Sequence, residues 1–154
     1  MDDLVELIAH GLGIGHIGLA RGPVMGAVTV VLMALLPRTR LAYGAAALLV
    51  CVLGFWAAEV ADRYSSAVDD VLIVIDEAAG AALLMALVMP RTWRDIALVG
   101  LGFWLIDSLK PWPVSLTESV PGATGIMLDD IAVALVVAPF LVVWCRAMER
   151  RASS

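Results

Sequence analysis

Cysteine and histidine are scarce in this sequence: two of each among 154 residues. Cys51 and Cys145 both lie in apolar runs, so neither a disulfide framework nor a cysteine-based zinc site is expected. Both read as small buried hydrophobes. His10 and His16 stand apart from the acids and form no His/Cys cluster. A Cys-x5-Arg run is missing as well, which excludes a phosphocysteine route. Charged residues make up only 16% of the chain, with a formal net charge of −5, so no nucleic-acid partner is expected. No basic n-region precedes the first apolar run after Met1-Asp2-Asp3, and no cleavable signal peptide is expected. Repeats, low-complexity tracts and interdomain linkers are also lacking, which leaves one domain over residues 1–154 with a polar tail at 146–154.

What is abundant is hydrophobicity. Apolar residues make up 62% of the chain and the mean hydropathy is +0.95, against about 45–50% for a soluble globular domain. Such an excess is too large for a hidden core, so lipid must solvate part of the surface. Five apolar stretches stand out: Pro23–Leu36, Leu41–Ala58, Val71–Met89, Ile96–Leu109 and Ile131–Trp144. They are rich in Ala and Leu and lack period-2 alternation, which predicts helices and no strands. A bilayer span needs about 17–25 residues. Leu41–Ala58 and Val71–Met89 reach that range, and the other three reach it only with flanking residues. The expected fold is an all-α, polytopic membrane bundle of about five apolar helices with short or broken spans. The Gly-rich segment His10–Gly26 reads as a re-entrant or interfacial element.

If all five stretches cross the bilayer, the connections alternate between two faces. One face collects Arg38, Arg40, Arg91, Arg94, Arg146, Arg150 and Arg151. The other collects all fifteen acids except Asp95 and Glu149. Lys/Arg bias places basic loops in the cytoplasm, which would put the acidic face outside.

Three groups of acids carry the chemistry. Asp76-Glu77 lies within an apolar run, where each charge costs roughly 2.5–3.5 kcal/mol at a helix centre. Such a pair persists only if it is paired, protonated or bound to a cation. One turn after Asp76 stands Gly80, which leaves room for a ligand or a neighbouring helix. Asp107 and Lys110 share a helical face, and Pro111 and Pro113 end that helix. Asp129-Asp130 opens the last apolar stretch after Gly122-Ala-Thr-Gly125; helix capping explains acids there in part, but not two followed at once by Ile131–Val137. Mg²⁺ prefers oxygen ligands and binds through a few carboxylates plus substrate phosphate. The expected metal ligands are Asp76, Glu77, Asp129 and Asp130. Asp107 is expected as a further ligand or neighbouring acid, and Lys110 as a phosphate contact.

Three blocks, Val74-Ile-Asp-Glu-Ala-Ala-Gly80, Ile106-Asp-Ser-Leu-Lys-Pro-Trp-Pro113 and Gly125-Ile-Met-Leu-Asp-Asp-Ile131, resemble the phosphatidylglycerophosphatase A family in order and spacing. The likeness covers nearly the whole chain as one membrane-embedded domain. Asp69 and Glu118 also fall where that family places acids, which implies them as additional metal ligands. The Gly11–Gly26 segment resembles the family's N-terminal glycine block. There the chain has Arg21-Gly-Pro-Val-Met-Gly-Ala27 in place of a Pro-Gly-Thr-x-Gly-Ser run, without its hydroxyls. Trp104, Ala81 and Ala134 replace an arginine, a glutamine and a glycine. Arg21 or Arg63 would supply a replacement cation, with Gly22 and Gly125 in the substrate-contacting turns.

The resemblance implies a Mg²⁺-dependent hydrolase that removes phosphate from phosphatidylglycerophosphate in a bacterial inner membrane. It also implies that the acidic face is cytoplasmic, opposite to the Lys/Arg bias. Two competing readings are a cation- or proton-coupled transporter and an inactive relative serving as a membrane interaction subunit.

Overall fold

The computed structural model describes residues 3–18, 20–64 and 73–152, leaving aside the side chains of Asp3, Asp62, Tyr64, Glu118 and Ala152. All secondary structure among them is helical. A short α1 (Asp3–Ala9) leads through a 3₁₀ turn (Gly11–His16) into α2 (Arg21–Ala34). Then come α3 (Arg40–Tyr64), α4 (Ile75–Val88) and α5 (Trp93–Leu109). A second 3₁₀ turn (Val114–Ser119) precedes α6 (Gly122–Ala152).

The all-helical expectation holds, but helix lengths differ from the apolar runs. Among the described residues, two helices are long and apolar enough to cross a membrane, over Arg40–Ala61 and Gly122–Arg151. The run Val71–Met89 yields only the 14-residue α4, about 21 Å long against a hydrocarbon layer of about 30 Å. Its residues Ile73 and Val74 are not helical. Val74 is fully buried, and its N–H donates to the Ala9 carbonyl at 3.0 Å. A run of apolar residues reports burial and leaves the backbone conformation open. The run Ile131–Trp144 grows the other way. Its polar flanks are helical too, giving a 31-residue α6 that continues through Pro139.

α4 forms the centre and packs against α2, α3, α5 and α6. Ala78, Ala79, Gly80, Ala81 and Ala82 are all buried on it. Such small side chains let neighbouring backbones approach closely. Large apolar side chains point outward instead: Leu48, Leu49 and Val52 on α3, Leu101 and Leu105 on α5, Phe140 and Val143 on α6. A surface of that kind suits hydrocarbon and not water.

The helix ends have local causes. Met89 (φ 54°) and Lys110 (φ 40°) are left-handed, and each directly precedes a proline. Proline disfavours the right-handed helical conformation in the residue before it, so α4 and α5 stop there. α5 starts on a capping box: Asp95 N–H donates to Thr92 Oγ1 and Thr92 N–H donates to Asp95 Oδ2, each at 3.2 Å.

Charged side chains among the described residues gather at two ends of the bundle. At one end, Arg38 donates to the Arg91 carbonyl at 2.6 Å, and Arg91 donates to Glu149 at 3.1 Å. The starts of α2 and α4, the end of α5 and the early turns of α6 meet at the other end.

Candidate metal and phosphate site

Asp76 and Glu77 occupy the first turn of α4, not the middle of a span. There the positive end of the helix favours negative charge, so the helix-centre cost expected above does not apply in full. Asp129 and Asp130 are displaced the opposite way. α6 begins at Gly122, so both lie two turns inside it and neither is a helix cap.

One oxygen from each of Asp76, Glu77 and Asp130 lies within 4.8 Å of the other two. Asp107, from the end of α5, adjoins Asp130, and their like charges act on one another. Asp130 is buried. Asp76 Oδ1 and Glu77 Oε2 are shielded from solvent and meet no hydrogen-bond partner. Buried carboxylate oxygens without partners are costly, and repulsion among the three compounds the cost. A divalent cation would relieve both. An octahedral ion with bonds of about 2.0–2.1 Å holds neighbouring ligand oxygens roughly 3–4 Å apart, so this set closes on an ion with small movements. The residues present therefore fit a metal.

Asp129 stands outside that trio. Lys110, the single lysine of the chain, donates to Asp129 Oδ2. Thr117 Oγ1 lies 3.0 Å from Asp129 Oδ1 and 2.7 Å from the Val114 carbonyl, with one proton to share between them. Burial works against the Lys110 charge. The hydrogen bond to Asp129 and the charges of Asp129, Asp107 and Asp130 outweigh it and hold the ammonium above its usual range.

Glycines set the spacing. A Cβ on Gly80 would stand 2.7 Å from the Asp130 carbonyl oxygen and 2.7 Å from the Phe103 ring. A Cβ on Gly22 would collide with Glu77 Oε1. Arg21, beside it, is near enough for its charge to act on Glu77. Gly22, Glu77 and Asp107 line one end of a cavity of about 190 Å³ that runs between α2 and α5 past Ala27, Phe103 and Trp104.

Two expected contacts are placed elsewhere. Arg63 pairs with Glu59 at 2.9 Å on the exposed face of α3. Gly125 abuts the Val120 carbonyl oxygen, where a Cβ would collide; it shapes the entry into α6. Asp69 and the side chain of Glu118 lie outside the described residues. Thr117 and Phe103 escaped the sequence reading. A lone hydroxyl seven residues after Lys110 and an aromatic in an apolar helix carry no periodic signal.

The phosphatidylglycerophosphatase A family model matches residues 7–144, most of the chain. The chain belongs to that family. No curated protein and no solved structure matches it. All three motif blocks lie within the matched span, and the cluster of Asp76, Glu77 and Asp130 draws on two of them. Phosphatidylglycerophosphatase A membership, together with two helices long and apolar enough to cross a bilayer, makes this a membrane-associated protein of a lipid phosphatase family.

Proposed function

We propose that the protein is a Mg²⁺-dependent phosphatase that hydrolyses the phosphate monoester of phosphatidylglycerophosphate, or of a closely related lipid phosphate, to the dephosphorylated lipid and inorganic phosphate. The observation that carries this reading is the convergence of Asp76, Glu77 and Asp130 on one point, with buried oxygens lacking partners, in a chain of this family.

Asp76, Glu77 and Asp130 would hold the ion. When bound, it supplies charge neutralisation for a phosphoryl group and lowers the pKa of water. Without it, the acidic pocket would repel the substrate. Asp107, next to the trio but outside it, takes the proton of the attacking water. The water oxygen bonds to phosphorus as the bond from phosphorus to the glycerol oxygen breaks, and that oxygen takes up a proton from solvent to become the free hydroxyl. Lys110 has three N–H donors. Asp129 takes one and aims the others at the phosphate, whose developing charge they stabilise.

The cavity between α2 and α5 gives the lipid a lateral route. Its walls are mostly apolar, and it ends at Glu77 and Asp107. The glycerol region would lie in it while the acyl chains stay in the bilayer. Trp104, half exposed on α5, lines this route, so the lipid would meet an indole there.

Inorganic phosphate release from a panel of lipid phosphates tests the reading, with wild type beside Asp130→Asn. Release from phosphatidylglycerophosphate is expected in Mg²⁺, with none in EDTA and restoration on adding Mg²⁺. Unchanged release in chelator defeats the metal assignment, and no release from any lipid phosphate favours the inactive-subunit reading.

A further inference from the structure

The end of the molecule opposite the acids holds a second cleft, of about 500 Å³, that the phosphatase reading does not use. Arg38, Arg40, Arg91 and Arg146 line it, together with Tyr43 and Glu149. They come from the turn before α3, its first turn, the loop after α4 and the last turns of α6. Glu149 is engaged by Arg91, so one carboxylate faces four guanidinium groups. Arg40 and Arg146 meet no carboxylate among the described residues.

Tyr43 supplies the independent observation. It is only 1% exposed, and its hydroxyl is shielded from solvent with no hydrogen-bond partner. A buried phenol without an acceptor is rare, because its desolvation goes uncompensated. Tyr43 is one of the residues lining the arginine-rimmed cleft, and the Arg38 charge is near enough to act on its phenol. The missing acceptor is therefore best supplied by an anion that the arginines hold. Guanidinium forks match the oxygens of phosphate in geometry as well as charge.

We propose that this cleft binds a phosphate group, as carried by the headgroup of an anionic phospholipid or by free inorganic phosphate. It is a site separate from the catalytic one, about one helix length away along α4. Arg40, Arg146 and Arg38 contact the phosphate oxygens, and the Tyr43 hydroxyl donates to one of them. The charge of the site also favours anionic lipid over zwitterionic lipid at that face.

Titration of the full-length protein in a neutral detergent tests this, with EDTA present so that the acidic end holds no divalent ion. The probes are dioctanoyl phosphatidylglycerol, inorganic phosphate and dioctanoyl phosphatidylcholine, with heat of binding as the readout. Saturable binding of the first but not the third is expected. It should weaken at least tenfold in Arg40→Gln/Arg146→Gln and at least threefold in Tyr43→Phe, while Asp130→Asn leaves it unchanged. Saturation by inorganic phosphate with the same dependence on the variants assigns the ligand to free phosphate; saturation by the lipid alone assigns it to a headgroup. Far-ultraviolet circular dichroism confirms the fold of each variant, and each substitution keeps most of the side-chain volume. Equal affinity in wild type and the double arginine variant overturns the proposal, as does loss of binding only in Asp130→Asn. An unchanged Tyr43→Phe removes the hydroxyl from the site.

Discussion

Gly80 and Asp130 meet backbone to backbone, with 2.7 Å between the place a Gly80 Cβ would occupy and the Asp130 carbonyl oxygen. This contact sets α4 against α6 one turn beyond Asp76, so it fixes how near the carboxylates of the two helices come. Gly80→Ala pushes the helices apart or forces Phe103 aside. Overpacking of this kind costs about 1–3 kcal/mol. The expected outcome is a lower unfolding temperature in detergent and at least a tenfold loss of phosphate release. A Gly80→Ala protein as stable and active as wild type would show that the contact is dispensable.

Asp76→Asn and Asp130→Asn each remove charge from the trio with little change of shape. Each should lower the rate by about a hundredfold or more, equivalent to roughly 3 kcal/mol of transition-state stabilisation. Each should also weaken Mg²⁺ binding measured by calorimetry. Intact Mg²⁺ affinity in both would move the metal away from these residues.

Asp129→Asn separates the neighbouring acids by role. Asp129 holds Lys110 and lies outside the carboxylate trio. Mg²⁺ affinity should therefore stay within threefold of wild type, while KM for the lipid phosphate rises. Lys110→Met should raise KM further and lower kcat, with Lys110→Arg restoring part of both. If Asp129→Asn abolished Mg²⁺ binding, Asp129 would return to the ligand set.

Ala27→Trp tests the lateral route. Ala27 is exposed on α2 and lines the cavity between α2 and α5. A bulky indole there should raise KM for long-chain substrate at least fivefold without changing Mg²⁺ affinity. Unaltered kinetics would mean that the lipid enters elsewhere.

The Thr92–Asp95 capping box starts α5 far from the chemistry. Thr92→Ala should cost about 1 kcal/mol of stability, seen as a lower unfolding temperature with kcat preserved. A fall in kcat at unchanged stability would instead tie that end of the molecule to catalysis.

Much of this arrangement was legible in the sequence because its causes are local. Ala- and Leu-rich runs without alternation announced helices, Pro111 marked where one of them ends, and alternating direction foretold that Asp76, Asp107 and Asp130 meet at one end. Gly80 was readable as a close approach, and the structure shows which helix fills the space. Asp76, Glu77, Asp107, Lys110, Asp129 and Asp130 do gather at one end. What could not be read was the division of labour between Asp129 and Asp130. Adjacent residues on a helix point about 100° apart, and which one meets Lys110 depends on how α5 and α6 are rotated. Val71–Met89 misled for a related reason: Ile73 and Val74 are buried outside the helix, with Val74 bonded to the end of α1, and hydrophobicity alone does not distinguish such residues from helix. The role of Thr117 rests on a loop whose path follows from the surrounding packing.

The position of Asp130 along its own helix has a mechanical consequence. It lies eight residues past Gly122 in α6, about 12 Å along the axis, and α6 is anchored by the greasy outer side chains that follow. On the proposed reading, the carboxylate trio is thereby hung at a set depth from the oily layer, as if by a plumb line. A substrate tethered in the same sheet arrives already level with it, whereas a water-soluble phosphate ester has no such vertical guide.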